Sequence, residues 1–216
     1  MFEWFKILRN HHLYRGPNYE GWITFDLDDT VCDFVGETYA KLNAHFGTDL
    51  KVGDHNTYWV NDHFGLTGTE FHEVAHQVRL HDELTPIEGL AQAMLKVAQR
   101  FKIQFNSSRG ALRNAHMTTT AWLTRHQFPC DDLVILKHGD LKWERFKPNT
   151  KLFVEDNANH ALEAADSGKV EMVWLVDKPW NQHVDHPRIQ RIKHDQLVSM
   201  LLQYFGDPDP LPFDPD

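Results

Sequence analysis

The sequence contains no run approaching the ~18 apolar residues that a membrane-crossing helix needs. Cysteine is scarce. Cys32 and Cys130 are far apart and in no metal-binding or redox spacing, which excludes a disulfide framework and fits a reduced, intracellular chain. The opening residues Met1 to Lys6 lack the basic and apolar regions of a secretory signal, so a cytoplasmic location is the expectation. Basic charge is also short. Lys and Arg total 22 against 31 Asp and Glu, a formal net charge of −9. That balance disfavours binding a long nucleic acid, where a basic surface supplies most of the affinity. It leaves a small phosphorylated substrate open, because one metal ion and one lysine can reverse the field inside a cleft.

What is present suits a folded domain. The chain has 216 residues, with seven Trp and 14 Phe to fill a core. Short apolar strands are read at 22–26, 101–105, 133–136, 151–155 and 172–176. Helices are read at Ile87–Arg100, with Pro86 in its first turn, at Ala111–His126 and at Asn157–Asp166. Strands alternating with helices predict a parallel sheet with right-handed crossovers. The interval from Asp33 to Thr85 breaks the rhythm. It reads as helices at Val35–Phe46 and Thr69–Leu80 with a loop between, a helical insert over the carboxyl edge of the sheet. The predicted organisation is therefore an α/β core formed by 1–32 and 86–206, a helical cap at 33–85, and an acidic, Pro-rich, poorly ordered tail at 207–216. No internal repeat is visible.

The strongest chemical signal is Asp26-Leu27-Asp28-Asp29-Thr30, directly after the first strand. Ligands of open α/β sheets bind at the carboxyl ends of strands. Three further strand ends carry polar groups: Ser107-Ser108-Arg109, then Lys142, then Glu155-Asp156. Together they meet the needs of phosphoryl transfer. Asp26 can attack phosphorus and form an aspartyl-phosphate, splitting one hard step into two. Asp28 can protonate the leaving alkoxide and later deprotonate water. Asp26, the backbone carbonyl of Asp28, and Asp156 supply oxygens of the kind Mg²⁺ prefers. Ser107 and Lys142 bind the phosphoryl group. Each residue alone has a plainer reading: Asp-x-Asp in a turn, Ser as a helix cap, Lys in solvent, an acidic pair starting a helix. Their conjunction at successive strand ends favours the site. Lys137 and Lys147 rival Lys142, whose spacing to Glu155 is preferred.

These residues resemble the haloacid dehalogenase-like hydrolase superfamily. Asp26 to Thr30 matches its first motif, Ser107 the second, Lys142 the third and Glu155-Asp156 the fourth, over roughly Trp22 to Val176. The resemblance implies a three-layer, Rossmann-like core with a small cap after the first strand, and a magnesium-dependent phosphatase. Asp28 favours phosphate esters, since the dehalogenases proper lack that second aspartate. Asp29 stands where many relatives have Gly. Within the superfamily the layout is similar to 5'(3')-deoxyribonucleotidases, with Asp33-Phe34 after the first motif and Pro86 to Gly89 before the second strand.

A nucleoside monophosphate is accordingly the expected substrate. Aromatic rings of the insert would stack its base. Phe34 is the first choice, then Trp59 and Phe64, although such rings commonly form a cap's own core. Ser108 and Arg109 are further substrate-binding candidates, Arg109 for a second anionic group. Sugar phosphates and DNA 3'-phosphate ends are alternative substrates, and a second copy of the chain is retained as a possible partner. His72-Glu73-Val74-Ala75-His76 also satisfies the H-E-x-x-H pattern of zinc peptidases. Its 15 histidines leave room for a chance match, and Arg79 and Asp82 stand where the extended motif has Gly and His. A solvated helix face is the preferred reading.

Overall fold

A computed structural model describes residues 19–54 and 57–206. The acidic tail and the first 18 residues lie outside the described residues. Six parallel strands form one sheet in the order β3-β2-β1-β4-β5-β6. They are β1 (Gly21–Phe25), β2 (Phe101–Ser107), β3 (Asp132–Ile135), β4 (Thr150–Glu155), β5 (Val170–Val176) and β6 (Ile189–Ile192). The strand order reverses at β1, which pairs with β2 on one side and β4 on the other. Such a switch point is where open α/β sheets bind ligands.

The helices are α1 (Phe34–Phe46), α2 (Val60–His63), α3 (Gly68–Gln77), α4 (Leu90–Val97), α5 (Ala115–Arg125), α6 (Ala158–Ser167) and α7 (Leu197–Phe205). Alternation along the strands separates two apolar layers. Leu152, Val154, Trp174 and Val176 join Met94 of α4, Trp122 of α5 and Leu201 of α7. Phe153, Val173 and Leu175 face Ala161, Ala164 and Ala165 of α6. The result is the expected three-layer α/β core. None of the described helices is long and apolar enough to cross a membrane.

On β1 and β2 the second face is polar instead. Thr24 Oγ1 donates to Gln104 Oε1 at 3.0 Å, Gln104 Nε2 donates to the carbonyl of Arg145, and Asn106 Nδ2 donates to that of Lys142 at 2.9 Å. These amides fasten the 3₁₀ turn Lys142–Arg145 across the sheet.

Several boundaries differ from the sequence reading, each for a local reason. The helix expected from Ile87 begins at Leu90, because Gly89 adopts φ +74°. Pro86 therefore lies outside its first turn and pairs in a β-bridge with Cys32. The helix expected from Ala111 begins at Ala115, after Asn114 at φ +57°. Before it, Gly110 runs against β3, where a Cβ would sit 2.5 Å from the carbonyl oxygen of Leu136. Strand β6 and helix α7 were not anticipated. The interval 33–85 holds α1 to α3 and no strand among its described residues, and its Tyr39, Leu42, Val60 and Phe71 belong to the same apolar cluster as Ile23 and Phe25.

Trp122 anchors α5 to the chain ahead of α4. It is buried, stacks on Phe128 at 5.4 Å and donates from Nε1 to the carbonyl of Leu84 at 2.8 Å. Replacing Trp122 by Ala should cost about 3–5 kcal/mol in urea unfolding. A loss under about 1 kcal/mol would mean that this anchor is slack.

Candidate active site

Asp26 follows β1 directly. Its N–H donates to the Val154 carbonyl at 2.9 Å, which fixes it against β4, and its side chain is buried. The chain then turns back on itself, with Val31 N–H on the Leu27 carbonyl at 2.9 Å and Asp29 at φ +57°. Lys142 Nζ donates to Asp26 Oδ1 at 2.5 Å and to Glu155 Oε2 at 2.8 Å. Glu155 Oε1 accepts the N–H groups of Asp156 and Asn157, both at 3.0 Å, locking the end of β4. One oxygen from each of Asp26, Glu155 and Asp156 lies within 4.8 Å of the others. Among the described residues this is the one group of His, Cys, Asp or Glu spaced to hold a metal ion.

Two more ion pairs flank this centre. Arg109 grips Asp28 in a fork, with Nε on Oδ2 at 2.9 Å and Nη2 on Oδ1. Lys178 Nζ lies 3.1 Å from Asp29 Oδ1, which also accepts the Val35 N–H at 3.2 Å. Four carboxylates thus pair with three cations, Lys142, Arg109 and Lys178, and Asp156 is a fifth beside them. Among the described residues Asp156 has no ion-pair partner. Its carboxylate accepts from Trp180 Nε1 at 3.1 Å. An excess of buried negative charge suits a divalent cation.

The electrostatics follow from this packing. Burial pushes Asp26 up to about 7, helped by Glu155 and Asp28 and opposed by Lys142. Asp156 is driven well above the usual carboxylate range by burial, then by Glu155, Asp29 and Asp26. Burial also lifts Asp29 to about 6 against the pull of Lys178. For Asp28 and Glu155 burial acts upward too, but Arg109 in the first case and Lys142 with His160 in the second hold the carboxyl below its ordinary value. Lys142 is raised despite its burial by Asp26 and Glu155.

A cavity of about 830 Å³ opens on these groups, between the core and the 33–85 interval. Asp26, Asp28, Lys142 and Asp156 converge on it. Ser108, Phe34 and Trp59 line it as well. Ser107 ends β2, buried, with an Oγ that has no partner among the described residues. Arg109 departs from the sequence expectation. It reaches the cavity, but its guanidinium is committed to Asp28 rather than free for a second anion. Phe64 departs too. It packs edge-on against Tyr39 at 5.2 Å and is not part of the cavity wall, because α2 turns it toward the apolar cluster. Of the rival lysines, Lys137 is exposed and Lys147 pairs with Asp132 at 2.9 Å. The H-E-x-x-H segment forms no ligand set: Glu73 and His76 are exposed while His72 faces the cavity.

Sequence reasoning missed His81 and Trp180, which also line the cavity, as does Tyr58, one of the insert's rings that was not singled out. Trp180 could have been found, since it lies just past a recognised strand. Nothing in the sequence marked His81, which packs on Phe34 at 5.5 Å.

Residues 21–203 match the model of a protein family described as "5' nucleotidase, deoxy (Pyrimidine), cytosolic type C protein". The chain belongs to this nucleotidase family. A nucleotidase of Clostridium acetobutylicum is 28% identical over 170 residues, 75% of this chain and 85% of that protein. The deoxynucleotidase fold is shared with hydrolases of the haloacid dehalogenase type. One from Streptococcus pneumoniae aligns at TM-score 0.54 and 13% identity, covering 84% of this chain and 98% of the other. Another, from Bacillus subtilis and bound to magnesium, aligns at 0.53 and 14%, covering 85% and 99%. The protein is thus a phosphatase of this type, and the resemblance read from its motifs holds.

The nucleotidase should lose stability in acid partly through His81. Burial first, then the charge of Arg109, lowers His81 from 6.5 to about 3. A base with a depressed pKa binds its proton first in the unfolded chain. Its contribution is therefore complete above pH 6.5 and lost as pH falls from there toward 3. His81→Gln should flatten the fall by up to ~1.4 kcal/mol per pH unit in that window, read from urea unfolding at stepped pH. An unchanged slope would place the acid sensitivity elsewhere.

Proposed function

We propose that the protein is a magnesium-dependent nucleotidase that hydrolyses (deoxy)nucleoside 5'-monophosphates through an aspartyl-phosphate on Asp26. The observation that carries this reading is the buried triad of Asp26, Glu155 and Asp156, two of them bridged by Lys142, beside a cavity with aromatic walls. The interval 33–85 serves as the cap over a core whose described part is 19–32 and 86–206.

The donor set fits Mg²⁺: all oxygen, buried, with more negative charge than the local cations offset. Asp26, Asp156 and the carbonyl of Asp28 would hold the ion, with Glu155 ordering them through its bonds to Lys142 and the Asp156 N–H. When bound, the ion neutralises charge on the phosphoryl group and on the surrounding carboxylates. The magnesium-bound hydrolase of similar fold supports this assignment.

In the first half-reaction an Asp26 oxygen forms a bond to phosphorus, the ester P–O bond breaks, and the leaving alkoxide takes a proton from Asp28. In the second, water attacks the aspartyl-phosphate and gives its proton to Asp28, releasing inorganic phosphate and restoring Asp26. The Arg109 fork orients Asp28 and favours its ionised form, which suits the second half-reaction. An entering phosphate dianion raises the proton affinity of Asp28 and so serves the first. Lys142 and the unpartnered Ser107 Oγ hold phosphoryl oxygens, assisted by Ser108. Phe34 and Trp59 take the base. A volume near 830 Å³ matches a small metabolite rather than a polymer. The family description supports action in the cytoplasm.

The test is phosphate release from a panel of nucleoside monophosphates, sugar phosphates and DNA 3'-phosphate ends, with Mg²⁺ and with chelator. Nucleotides should be preferred, chelation should abolish turnover, and Asp26→Asn should lower it by about a thousandfold or more. Activity that survives Asp26→Asn but is lost in Glu73→Gln would overturn the assignment.

A further inference from the structure

The loop after β5, from Asp177 to Gln182, supplies no group to the chemistry above, yet it braces the acidic edge of the site at three points. Lys178 reaches Asp29. Asn181 Nδ2 donates to the Asp156 carbonyl at 2.8 Å and to that of Val176 at 2.7 Å. Trp180 Nε1 donates to Asp156 Oδ2 at 3.1 Å. The loop is itself fastened. Asn181 Oδ1 accepts from the Lys178 N–H at 3.2 Å and from Arg191 Nη1 at 2.5 Å, and Arg191 also pairs with Asp177 at 3.0 Å. The indole is thereby presented on a rigid support.

The Asp156 carboxylate needs such support. It is buried beside Asp26, Glu155 and Asp29, all of one sign, and repulsion among them would turn it away. Among the described residues the indole is its one side-chain hydrogen-bond donor. A tryptophan packed into a protein commonly finds some acceptor for its N–H. Here the acceptor is a carboxylate of the triad, and the same ring lies under Lys178 Nζ at 5.6 Å and meets Tyr58 of the cap edge-on at 6.4 Å. Hydrogen bonds to metal-ligating side chains fix their orientation, and removing one typically weakens metal binding 10–100-fold.

We infer that Trp180 is a positioning residue: its indole N–H holds Asp156 in the orientation that binds Mg²⁺. The inference rests on the metal site proposed above. The test titrates Mg²⁺ alone into the full chain by calorimetry, comparing wild type with Trp180→Phe, Trp180→His and Asp156→Asn. Circular dichroism and melting in chelator establish that each variant is folded. Trp180→Phe keeps a ring but loses the donor, and its Kd for Mg²⁺ should rise at least about tenfold. Trp180→His keeps a ring N–H and should stay within about threefold of wild type, a rescue that loss of packing would not give. Should the phenylalanine variant fail to fold, the histidine variant decides alone, and weakened binding in it overturns the inference. A wild-type Kd in Trp180→Phe, with binding lost in Asp156→Asn, refutes the role of Trp180 and leaves the metal site standing. Unaltered binding in Asp156→Asn refutes the metal site itself.

Discussion

The site depends on one buried ammonium group. Lys142 Nζ lies between Asp26 and Glu155, all three almost fully shielded from water. Removing one partner from such a cluster leaves an uncompensated charge in a medium of low polarizability, at a cost of about 3–5 kcal/mol. The fold is arranged to keep the lysine in place. Its backbone carbonyl is tied to Asn106 of β2, and its neighbour three residues on is tied to Gln104. The polar face of β2, anomalous for a buried strand, is thus explained by the turn it must carry.

Charge balance then organises the surroundings. Each carboxylate that pairs with a cation, Asp28 with Arg109 and Asp29 with Lys178, is held in place by that cation. Asp156 lacks this means and relies on an indole N–H and on the backbone hydrogen bonds around it. An arrangement with more buried carboxylates than side-chain cations concentrates negative charge at its centre. That charge is what a divalent ion would offset.

Much of this was legible in the sequence because parallel sheets place chemistry at strand ends. Asp26, Ser107 and Asp156 follow apolar strands that can be recognised by composition alone, and Lys142 lies shortly beyond another. The rest was hidden for physical reasons. Strand β6 is four residues long, Ile-Gln-Arg-Ile, with too few apolar positions for a period to show. Helix starts were displaced by residues in left-handed conformations, Gly89 and Asn114, whose φ cannot be read from the types of their neighbours. Phe34 and Phe64 are equally aromatic in sequence. Both pack against the apolar cluster, and only the orientation of α1 and α2 brings Phe34 to the cavity wall as well. His81 and Trp180 reach the site across long stretches of chain, and no local pattern records such a meeting.

The 33–85 interval is not a separate lobe on a free hinge. Tyr39, Leu42 and Phe71 share one continuous oily seam with the strands beneath. Swinging the whole interval outward would tear that seam and wet it. Traffic is thereby confined to the rim, where Trp59 meets His138 at 5.3 Å and Tyr58 meets Trp180. A monomeric ester can slip past side chains that rotate on a nanosecond scale. A duplex end would require the entire lid to lift. On the function proposed above, bulky phosphates would be turned away at the doorway, before any base is read.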